Sequence, residues 1–301
     1  MKYLLLLLPL LSIQLSRLSA QDWQPLYPGP VPNSRDVADP EYEEDRGPER
    51  GRAAHRVAHP QLAVYHPVRP SGQAVIICPG GGYGYLAYDK EGVRVAEYLT
   101  REGITAIVLK YRIPQTVTNV DPSLAPLMDV QQAIRYVRRH AVEYAVATDR
   151  IGIMGFSAGG HVAAMAATSF TTSADPEETD TTSVRPDFAV LIYPVISMDT
   201  TVTHPGSRRN LLGENPEPAT VARFSADEQV TAATPPVFMV HAGDDVVVPV
   251  ENTLRFYRRC LDAGVPAELH VYPGGGHGFG LVNPTTSDHW PERLTNWLSD
   301  R

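Results

Sequence analysis

The sequence is poor in cysteine, has no excess of basic residues and carries no long apolar run after its first twenty residues. Its two cysteines, Cys78 and Cys260, fall on different predicted elements, which favours small buried apolar side chains, although export would permit a disulfide. Lysine and arginine number 26 against 34 acidic residues, for a formal charge of −8. That sign disfavours nucleic acid as a partner, because binding to phosphates needs clustered cations.

The first twenty residues, MKYLLLLLPLLSIQLSRLSA, place one lysine before a leucine-rich run. The run is too short and too interrupted to span a bilayer, and the pattern is typical of a secretory signal peptide. Ala20 suits the small residue preferred before the cleavage point. We therefore predict that residues 1–20 are a signal peptide and that the mature chain is secreted or periplasmic. No cysteine follows the leader directly, so we expect no lipid or membrane anchor.

The remaining chain divides into two parts of different composition. Residues 21–55 are rich in proline and charge, and we predict an extended N-terminal arm. Residues 56–301 form one predicted α/β domain, in which strand-type runs alternate with helical patterns. The strand-type runs are LAVYHP, QAVIICP, ITAIVLKY, RIGIMG, FAVLIYPV, PVFMVHA and AELHVYP, and the helical patterns include DKEGVRVAEYLTREG, LMDVQQAIRYVRRHA and ENTLRFYRRCLDAG. This alternation predicts a mostly parallel sheet with helices on both faces and with ligands at the carboxyl ends of its strands.

The motif GFSAG places Ser157 between a strand-type run and a helical pattern. A G-x-S-x-G motif alone is weak, but a strand, a sharp turn and a helix are the context that a nucleophilic serine requires in this arrangement. A neutral serine is a poor nucleophile and needs a base with an orienting acid. Where a G-x-S-x-G serine lies on the turn between a strand and a helix, the acid is expected first along the chain and the histidine second.

An acid and a histidine follow Ser157 in that order. GDDVVVP comes after PVFMVHA and supplies Asp244 and Asp245, and GGGHGFG comes after AELHVYP and supplies His277. Taken singly, each loop is better interpreted as a surface turn. Their order at consecutive strand ends instead favours a catalytic triad. Asp245 is the preferred acid because of its spacing to the following Val-Pro pair, and Asp244 is the alternative.

A glycine-rich loop, CPGGGYGY, follows the early strand-type run QAVII. Glycine N–H groups can approach a developing oxyanion without side-chain obstruction, so Gly81 and Gly82, with the N–H of Ala158, are the predicted donors. Tyr83 and Tyr85 follow directly. They are candidates for stacking on a sugar ring, with simple packing as the equally weighted alternative.

On these motifs the chain resembles α/β-hydrolases of the esterase and lipase type, and more narrowly the secreted carbohydrate acetylesterases, described as acetylxylan esterase-like. The resemblance runs from about Gln61 to Leu281 through PGGGY, DKEG, LKYRIP, GFSAGGH, HAGDDVVVPVEN, AGVPAELHVY and GGHGFGL. It implies an α/β-hydrolase fold without a large cap domain, with no metal and no cofactor. It also implies the triad and the oxyanion donors already named. Pro79 stands where lipase-like relatives have a histidine before the glycines.

The resemblance implies that O-acetyl groups are removed from a plant polysaccharide such as xylan, or from its oligosaccharides, through an acyl-enzyme. A feruloyl or broad small-ester carboxylesterase would use the same triad with a larger acyl pocket. An inactive hydrolase-fold module that binds carbohydrate or protein is the alternative outside enzymes. A prolyl-oligopeptidase-like peptidase would share the fold but normally adds a propeller domain. The sequence gives no sign of such a domain, so peptidase action is not expected. Residues 199–229 are expected to form a short lid or a wall of the substrate cleft.

Several other polar residues have a structural interpretation. A histidine one turn after Ser157 faces the packed side of a helix as easily as a cleft, and histidines within strand patterns are best explained as hydrogen-bonded residues of the fold. The same holds for charged and aromatic residues that close a strand. The residues concerned are His161, His241, His270, Lys110, Tyr111 and Arg112.

Overall fold

The computed structural model describes residues 23–301, and the predicted signal peptide lies outside these residues. The described chain forms strands β1 (Gln24–Pro25), β2 (Tyr42–Asp45), β3 (Arg52–His55), β4 (Gln61–Tyr65), β5 (Ala74–Cys78), β6 (Tyr85–Leu86), β7 (Thr105–Lys110), β8 (Ile151–Phe156), β9 (Phe188–Ile192), β10 (Val237–Ala242) and β11 (Ala267–Tyr272). The seven strand-type runs predicted from the sequence correspond to β4, β5, β7, β8, β9, β10 and β11.

The main sheet has eight strands in the order β1-β4-β7-β5-β8-β9-β10-β11. The pairs β1 with β4 and β4 with β7 are antiparallel, and every other neighbouring pair is parallel. Because parallel strands end at the same edge, the loops that follow β5, β8, β10 and β11 meet there. Those loops carry the predicted catalytic and oxyanion residues.

The helices are α1 (Gly47–Arg50), α2 (Arg94–Arg101), α3 (Ala125–Arg139), α4 (Ser157–Thr168), α5 (Pro205–Leu212), α6 (Pro218–Arg223), α7 (Glu251–Asp262) and α8 (Trp290–Ser299), with a π-helical turn at Asp89–Val93 before α2 and a 3-10 turn at Ala226–Gln229. Side chains of α2 and α8 pack on one face of the sheet, and those of α3, α4 and α7 pack on the other. The predicted α/β-hydrolase architecture is therefore confirmed. Within residues 23–301 no helix is both long enough and apolar enough to span a membrane.

The strand sequences explain why both faces are covered. In β8, Ile151 and Ile153 enter the core of one face, and Met154 and Phe156 enter the core of the other, as a repeat of two residues requires. Such a strand is apolar on both sides and stable only when helices bury both of them. The cysteines also belong to this interior. Both are free and buried, and burial raises the pKa of the Cys260 thiol to about 12.

The segment before the main domain folds onto it. Strand β1 extends the edge of the main sheet, while β2 and β3 pair antiparallel with each other and β3 pairs with β6. Lys110, at the end of β7, donates to Glu41 at 3.0 Å and lies over the ring of Trp23 at 4.6 Å. These contacts place residues 42–55 beside the loop that follows β5.

Residues 199–229 form α5, α6 and the 3-10 turn, and no large cap domain is present among the described residues. His204 caps the start of α5, where its Nδ1 accepts a hydrogen bond from the Ser207 N–H at 3.2 Å. The His204 side chain also lines the cavity above Ser157. The segment therefore contributes to a wall of that cavity.

Candidate active site

Ser157 occupies a sharp turn between β8 and α4. Its φ is +53°, a left-handed conformation that is unusual for a residue with a side chain. The flanking glycines permit the turn: a Cβ on Gly155 would lie 2.0 Å from the carbonyl oxygen of Gly159, and one on Gly159 would lie 2.1 Å from that of Cys78. Strain held by tight packing at one residue is typical of a site where a side chain must be presented in a fixed direction.

The three predicted triad residues meet at the edge of the sheet. His277 Nε2 lies 2.8 Å from Ser157 Oγ, and His277 Nδ1 lies 2.6 Å from Asp245 Oδ2. With the Nδ1 proton donated to the carboxylate, Nε2 accepts from the serine hydroxyl. This arrangement can take a proton from Ser157 and hold the resulting imidazolium beside a carboxylate.

Asp245, rather than Asp244, contacts the histidine. Burial alone would raise the pKa of Asp245, but hydrogen bonds from His241 and His277 and from the backbone N–H of Val248 hold that pKa well below its usual range. The group therefore stays ionised. Asp244 has a different contact, because its Oδ1 accepts from the Gly276 N–H at 2.8 Å. It fastens the loop that carries His277.

The glycine loop after β5 lies beside Ser157, and Gly81 and Gly82 line the same cavity. Gly81 has a φ of +140°, and a Cβ there would lie 2.0 Å from the Tyr85 carbonyl oxygen, so only glycine fits. Hydrogen bonds within residues 23–301 leave the N–H groups of Gly81 and Gly82 unused. Ala158 lies in the first turn of α4, where N–H groups have no partner in the helix.

The two tyrosines after the glycines have different surroundings. Tyr83 is only 2% exposed, and its hydroxyl donates to His161 Nδ1 at 2.7 Å. The candidate sugar contact at Tyr83 is therefore wrong, because its side chain is packed in the core. Tyr85 does line the cavity, and the Arg46 guanidinium lies 4.5 Å from its ring centroid.

The sequence interpretation missed a connection between the two loops that flank Ser157. Glu91 Oε2 accepts from the Gly80 N–H at 2.9 Å, and Glu91 Oε1 accepts from the Tyr193 hydroxyl at 2.8 Å. The Tyr193 oxygen in turn accepts from the Gly280 N–H at 3.0 Å, and its ring centroid is 5.0 Å from that of His277. The glycine loop and the histidine loop are thus joined through one buried carboxylate. Glu91 belongs to the DKEG motif, but the motif alone does not indicate which loops this carboxylate contacts.

Lys90, the neighbour of Glu91, adds a second fastening. Its Nζ donates to the carbonyl oxygen of Gly278 at 2.7 Å, directly after His277. The residue also lines the cavity. One turn of π-helix therefore contacts both the glycine loop and the histidine loop.

The cavity above Ser157 has a volume of about 450 Å³. Arg46 and Arg50 reach it from the N-terminal segment, and His204 reaches it from residues 199–229. The sequence predicted that residues 199–229 form a lid or a wall of the cleft, but it did not indicate His204, Arg46 or Arg50 individually. A cavity of this size is comparable to sites for small organic ligands, and it is larger than an acetyl group requires.

The polar residues for which the sequence predicted a structural role have hydrogen-bond partners in the fold. His161 is buried, with Nε2 donating to the Phe224 carbonyl at 2.7 Å, and His241 Nδ1 accepts from Thr253 Oγ1 at 2.7 Å. His270 Nε2 lies 2.8 Å from Glu268 Oε1, and Arg112 forms a buried ion pair with Asp129 at 2.7 Å. The Tyr111 hydroxyl donates to the Pro79 carbonyl at 2.7 Å.

A family model described as BD-FAE matches residues 62–260, which is about two thirds of the chain. The chain belongs to the BD-FAE family. This is an esterase type of α/β-hydrolase, and the matched range includes the glycine loop, Ser157 and Asp245. The BD-FAE match does not include residues 42–55 or His277.

Two curated relatives of this BD-FAE chain have sequence identities above one third. An acetylxylan esterase of Xylanibacter ruminicola is 37% identical over 243 residues, which cover 79% of this chain and 48% of that protein. An endo-1,4-beta-xylanase B of Butyrivibrio fibrisolvens is 36% identical over 234 residues, which cover 77% of this chain and 36% of that protein. The chain therefore spans about half or less of the length of these relatives.

Solved structures show the same fold. An acetyl ester-xyloside bifunctional hydrolase from Caldicellulosiruptor lactoaceticus superposes with a TM-score of 0.75 at 37% identity, covering 93% of this chain and 96% of that one. An esterase from Thermogutta terrifontis superposes with a TM-score of 0.63 at 27% identity, covering 80% of this chain and 86% of that one.

Proposed function

We propose that this BD-FAE protein is a serine esterase that removes O-acetyl groups from xylan or its oligosaccharides. The observation that carries the proposal is the hydrogen-bonded series of Ser157, His277 and Asp245 at the floor of an open cavity. The substrate class is supported by the names of two similar proteins, an acetylxylan esterase and an acetyl ester-xyloside bifunctional hydrolase.

The reaction starts with proton transfer. His277 Nε2 accepts the proton of the Ser157 hydroxyl as Oγ attacks the carbonyl carbon of the acetyl ester. Asp245 stabilises the imidazolium that forms. His277 then donates its proton to the departing sugar oxygen, and an acetyl-serine remains. Water attacks this acyl-enzyme while His277 takes its proton, the bond from the carbonyl carbon to Ser157 Oγ breaks, and His277 returns the proton to Oγ as acetic acid leaves.

Negative charge develops on the carbonyl oxygen in both steps. The N–H groups of Gly81, Gly82 and Ala158 are the proposed donors to that oxygen. Donors already fixed in place need little reorganisation during the reaction, and removal of one such donor typically lowers kcat by about 100- to 1000-fold.

The proposed location is outside the cytoplasm, secreted or periplasmic. It depends on the signal-peptide pattern of residues 1–20, with residues 21–55 as the arm and 56–301 as the catalytic domain. An acetylated polysaccharide is too large to enter a cell intact, so an exported enzyme suits the proposed substrate.

The cavity volume of about 450 Å³ also favours a second candidate, an esterase for a larger acyl group such as feruloyl. The two candidates share the triad and differ in the acyl group that is released. An inactive binding module would hydrolyse none of the esters.

The test is to measure initial rates of the wild type, Ser157→Ala and Ser169→Ala on acetylated xylan, 4-nitrophenyl acetate and methyl ferulate. Ser169 follows the other end of the same helix, so Ser169→Ala is the matched control. Ser157→Ala is expected to lower acetate release by about 10,000-fold or more. Faster release of ferulate than acetate would favour the second candidate, and a wild type inert on all three esters would refute the esterase proposal.

A further inference from the structure

Three cations line the mouth of the cavity in a chain that is acidic overall. The charged residues of the lining are Arg46, Arg50, Lys90 and Glu91, whereas the whole chain has 34 acids against 26 lysines and arginines. Glu91 does not balance the three cations at the surface, because its side chain is buried and both of its oxygens already accept hydrogen bonds. Apart from the buried Glu91, the charged side chains that line the cavity mouth are therefore basic.

Arg46 is held in place but retains free donors. Its guanidinium lies over the ring of Tyr85, and its Nε is 3.9 Å from Glu44 Oε2, too far for a hydrogen bond. The same Glu44 oxygen is 2.9 Å from His55 Nε2, so the carboxylate is shared between two neighbours. Within residues 23–301 the Arg46 guanidinium donates no hydrogen bond. Its planar N–H groups remain available to a ligand.

Unlike Arg46, which has the Glu44 carboxylate 3.9 Å away, Arg50 and Lys90 have no acidic partner in the described part of the chain. Arg50 is exposed in the last turn of α1, and its side chain makes no hydrogen bond or ion pair with the described part of the chain. Lys90 donates one hydrogen bond to the Gly278 carbonyl, and an ammonium group has three donors. Unpaired cations at a cavity mouth attract anionic ligands, whereas paired surface charges contribute little.

The chemistry of these side chains selects a carboxylate. Guanidinium groups bind carboxylates through two parallel N–H to oxygen hydrogen bonds, which gives both energy and orientation. A neutral sugar has no charge to pair with these cations, and its apolar ring face is suited to stacking on an aromatic side chain. The aromatic ring of the cavity lining, Tyr85, already carries Arg46. Because the proposed acyl group is acetyl and is neutral, the carboxylate has to belong to the alcohol part of the ester.

We propose that Arg46, Arg50 and Lys90 form a subsite for a carboxylate on the alcohol part of the substrate, so that the enzyme deacetylates acidic oligosaccharides, those that bear a uronic acid or another sugar acid. This inference rests on the proposed esterase function and narrows its substrate class. Two of the three cations come from residues 42–55, which makes this segment part of the recognition site.

The test uses two acetylated xylo-oligosaccharides of equal length, one with and one without a uronic-acid side group. The quantity measured is the ratio of their kcat/KM values, in which a general change of activity cancels. The wild type is expected to favour the acidic substrate by about tenfold or more at low ionic strength. The ratio is expected to fall with added NaCl, because exposed charges are screened.

The variants are Arg50→Ala and Arg46→Ala, with Arg69→Ala as the matched control. Arg69 is exposed and follows β4, whose end lies at the opposite edge of the sheet, so the control removes the same charge far from the cavity. Each cavity variant is expected to lower the ratio by about tenfold, the effect of losing hydrogen bonds to a charged group. Arg69→Ala leaves the ratio unchanged. A wild-type ratio near one, or equal ratios in Arg50→Ala and Arg69→Ala, would overturn the proposal.

The position of the carboxylate is tested with 4-nitrophenyl acetate and 4-nitrophenyl hemisuccinate. If an arginine-dependent preference appears for the hemisuccinate and not for the acidic oligosaccharide, the carboxylate is bound on the acyl side and the proposal is wrong. A preference restricted to the acidic oligosaccharide supports it.

A binding measurement separates this proposal from the proposed function. Calorimetric titration of Ser157→Ala with deacetylated acidic and neutral oligosaccharides does not depend on turnover. Tighter binding of the acidic compound that is lost in the double variant Ser157→Ala with Arg50→Ala supports the subsite, even for an enzyme that hydrolyses no acetyl ester. Equal binding of both compounds excludes it.

Discussion

The floor and the rim of the cavity are built by different parts of the chain. The floor consists of the loops after β5, β8, β10 and β11, and the rim consists of residues 42–55 and 199–229. The triad side chains of the floor are hydrogen-bonded to one another in loops that follow buried parallel strands, whereas the rim cations Arg46 and Arg50 have few partners or none. The difference indicates that the sheet fixes the geometry of the chemistry, and that appended segments determine which ligand is recognised.

The largest effect on kcat is expected from a substitution of Asp245, the acid of the triad. Asp245→Asn removes the charge that stabilises the His277 imidazolium and allows the wrong tautomer, so kcat on 4-nitrophenyl acetate should fall by about 1000- to 10,000-fold. The matched variant Asp244→Asn keeps an oxygen that can accept from Gly276, and a loss of less than about tenfold is expected. Initial rates at saturating substrate measure both. Equal losses in the two variants would mean that the acid has been assigned to the wrong residue.

The second effect concerns the connection between the two loops. Glu91→Gln removes the buried charge and replaces one acceptor oxygen by an amide group, which cannot accept the hydrogen bond donated by the Gly80 N–H or by the Tyr193 hydroxyl. One of the two donations that join the loops is therefore lost or reversed. Misplacement of either loop is expected to lower kcat by up to about 100-fold while KM changes little. The readout is the separate determination of kcat and KM. Because a loss of folded protein would also lower the apparent kcat, the folded fraction of each variant is measured by circular dichroism.

The control for that experiment is Glu97→Gln on the exposed side of α2, which removes the same charge away from the cavity. If Glu91→Gln keeps full kcat, or if Glu97→Gln loses as much, the buried carboxylate does not position the loops. Tyr193→Phe, which removes one hydroxyl from the same series, is expected to give an intermediate loss.

The third and smallest effect is a pH dependence of stability at His161, which joins the floor to the rim. Burial lowers the pKa of His161 to about 4, from an ordinary value near 6.5, although the bond to the Phe224 carbonyl opposes the shift. As the pH falls from 7 to 5, the His161 imidazole binds a proton in the unfolded chain but stays neutral in the folded chain. The free energy of unfolding should therefore fall by about 2 kcal/mol from this group over that interval.

The measurement is urea unfolding of the wild type and of His161→Gln at pH 7 and pH 5. The variant is expected to be less stable at pH 7 but to lose about 2 kcal/mol less between the two values. Identical pH dependence of the two proteins would show that His161 does not carry this linkage.

The floor could be predicted from the sequence because its signals are local and ordered. A continuous apolar strand followed by glycines, by GFSAGG, by GDD or by GGGH places each chemical group at a strand end, and parallel strands bring those ends together. The spacing to Val248 and Pro249 likewise selected Asp245, which is the aspartate that contacts His277. The elements of the main domain agree with the sequence interpretation for the same reason.

The rim and the loop connection could not be predicted in this way, because they depend on contacts between segments distant in sequence. Strand β3 pairs with the two-residue β6, too short for a periodic pattern, and Glu91 meets Tyr193 across 102 positions. Tyr83 and Tyr85 are two residues apart in one loop, yet one is packed in the core and the other lines the cavity. Such outcomes are decided by tertiary packing.

The pairing of β3 with β6 has a consequence for how related enzymes diverge. Residues 42–55 contact the domain through short strands and side-chain pairs, and they lie outside the range matched by the family model. A segment of this kind can accumulate substitutions, or be exchanged for that of a homologue, without disturbing the buried strands that hold the nucleophile. A library of variants restricted to residues 42–55 is therefore a compact starting point for changing the substrate range by directed evolution.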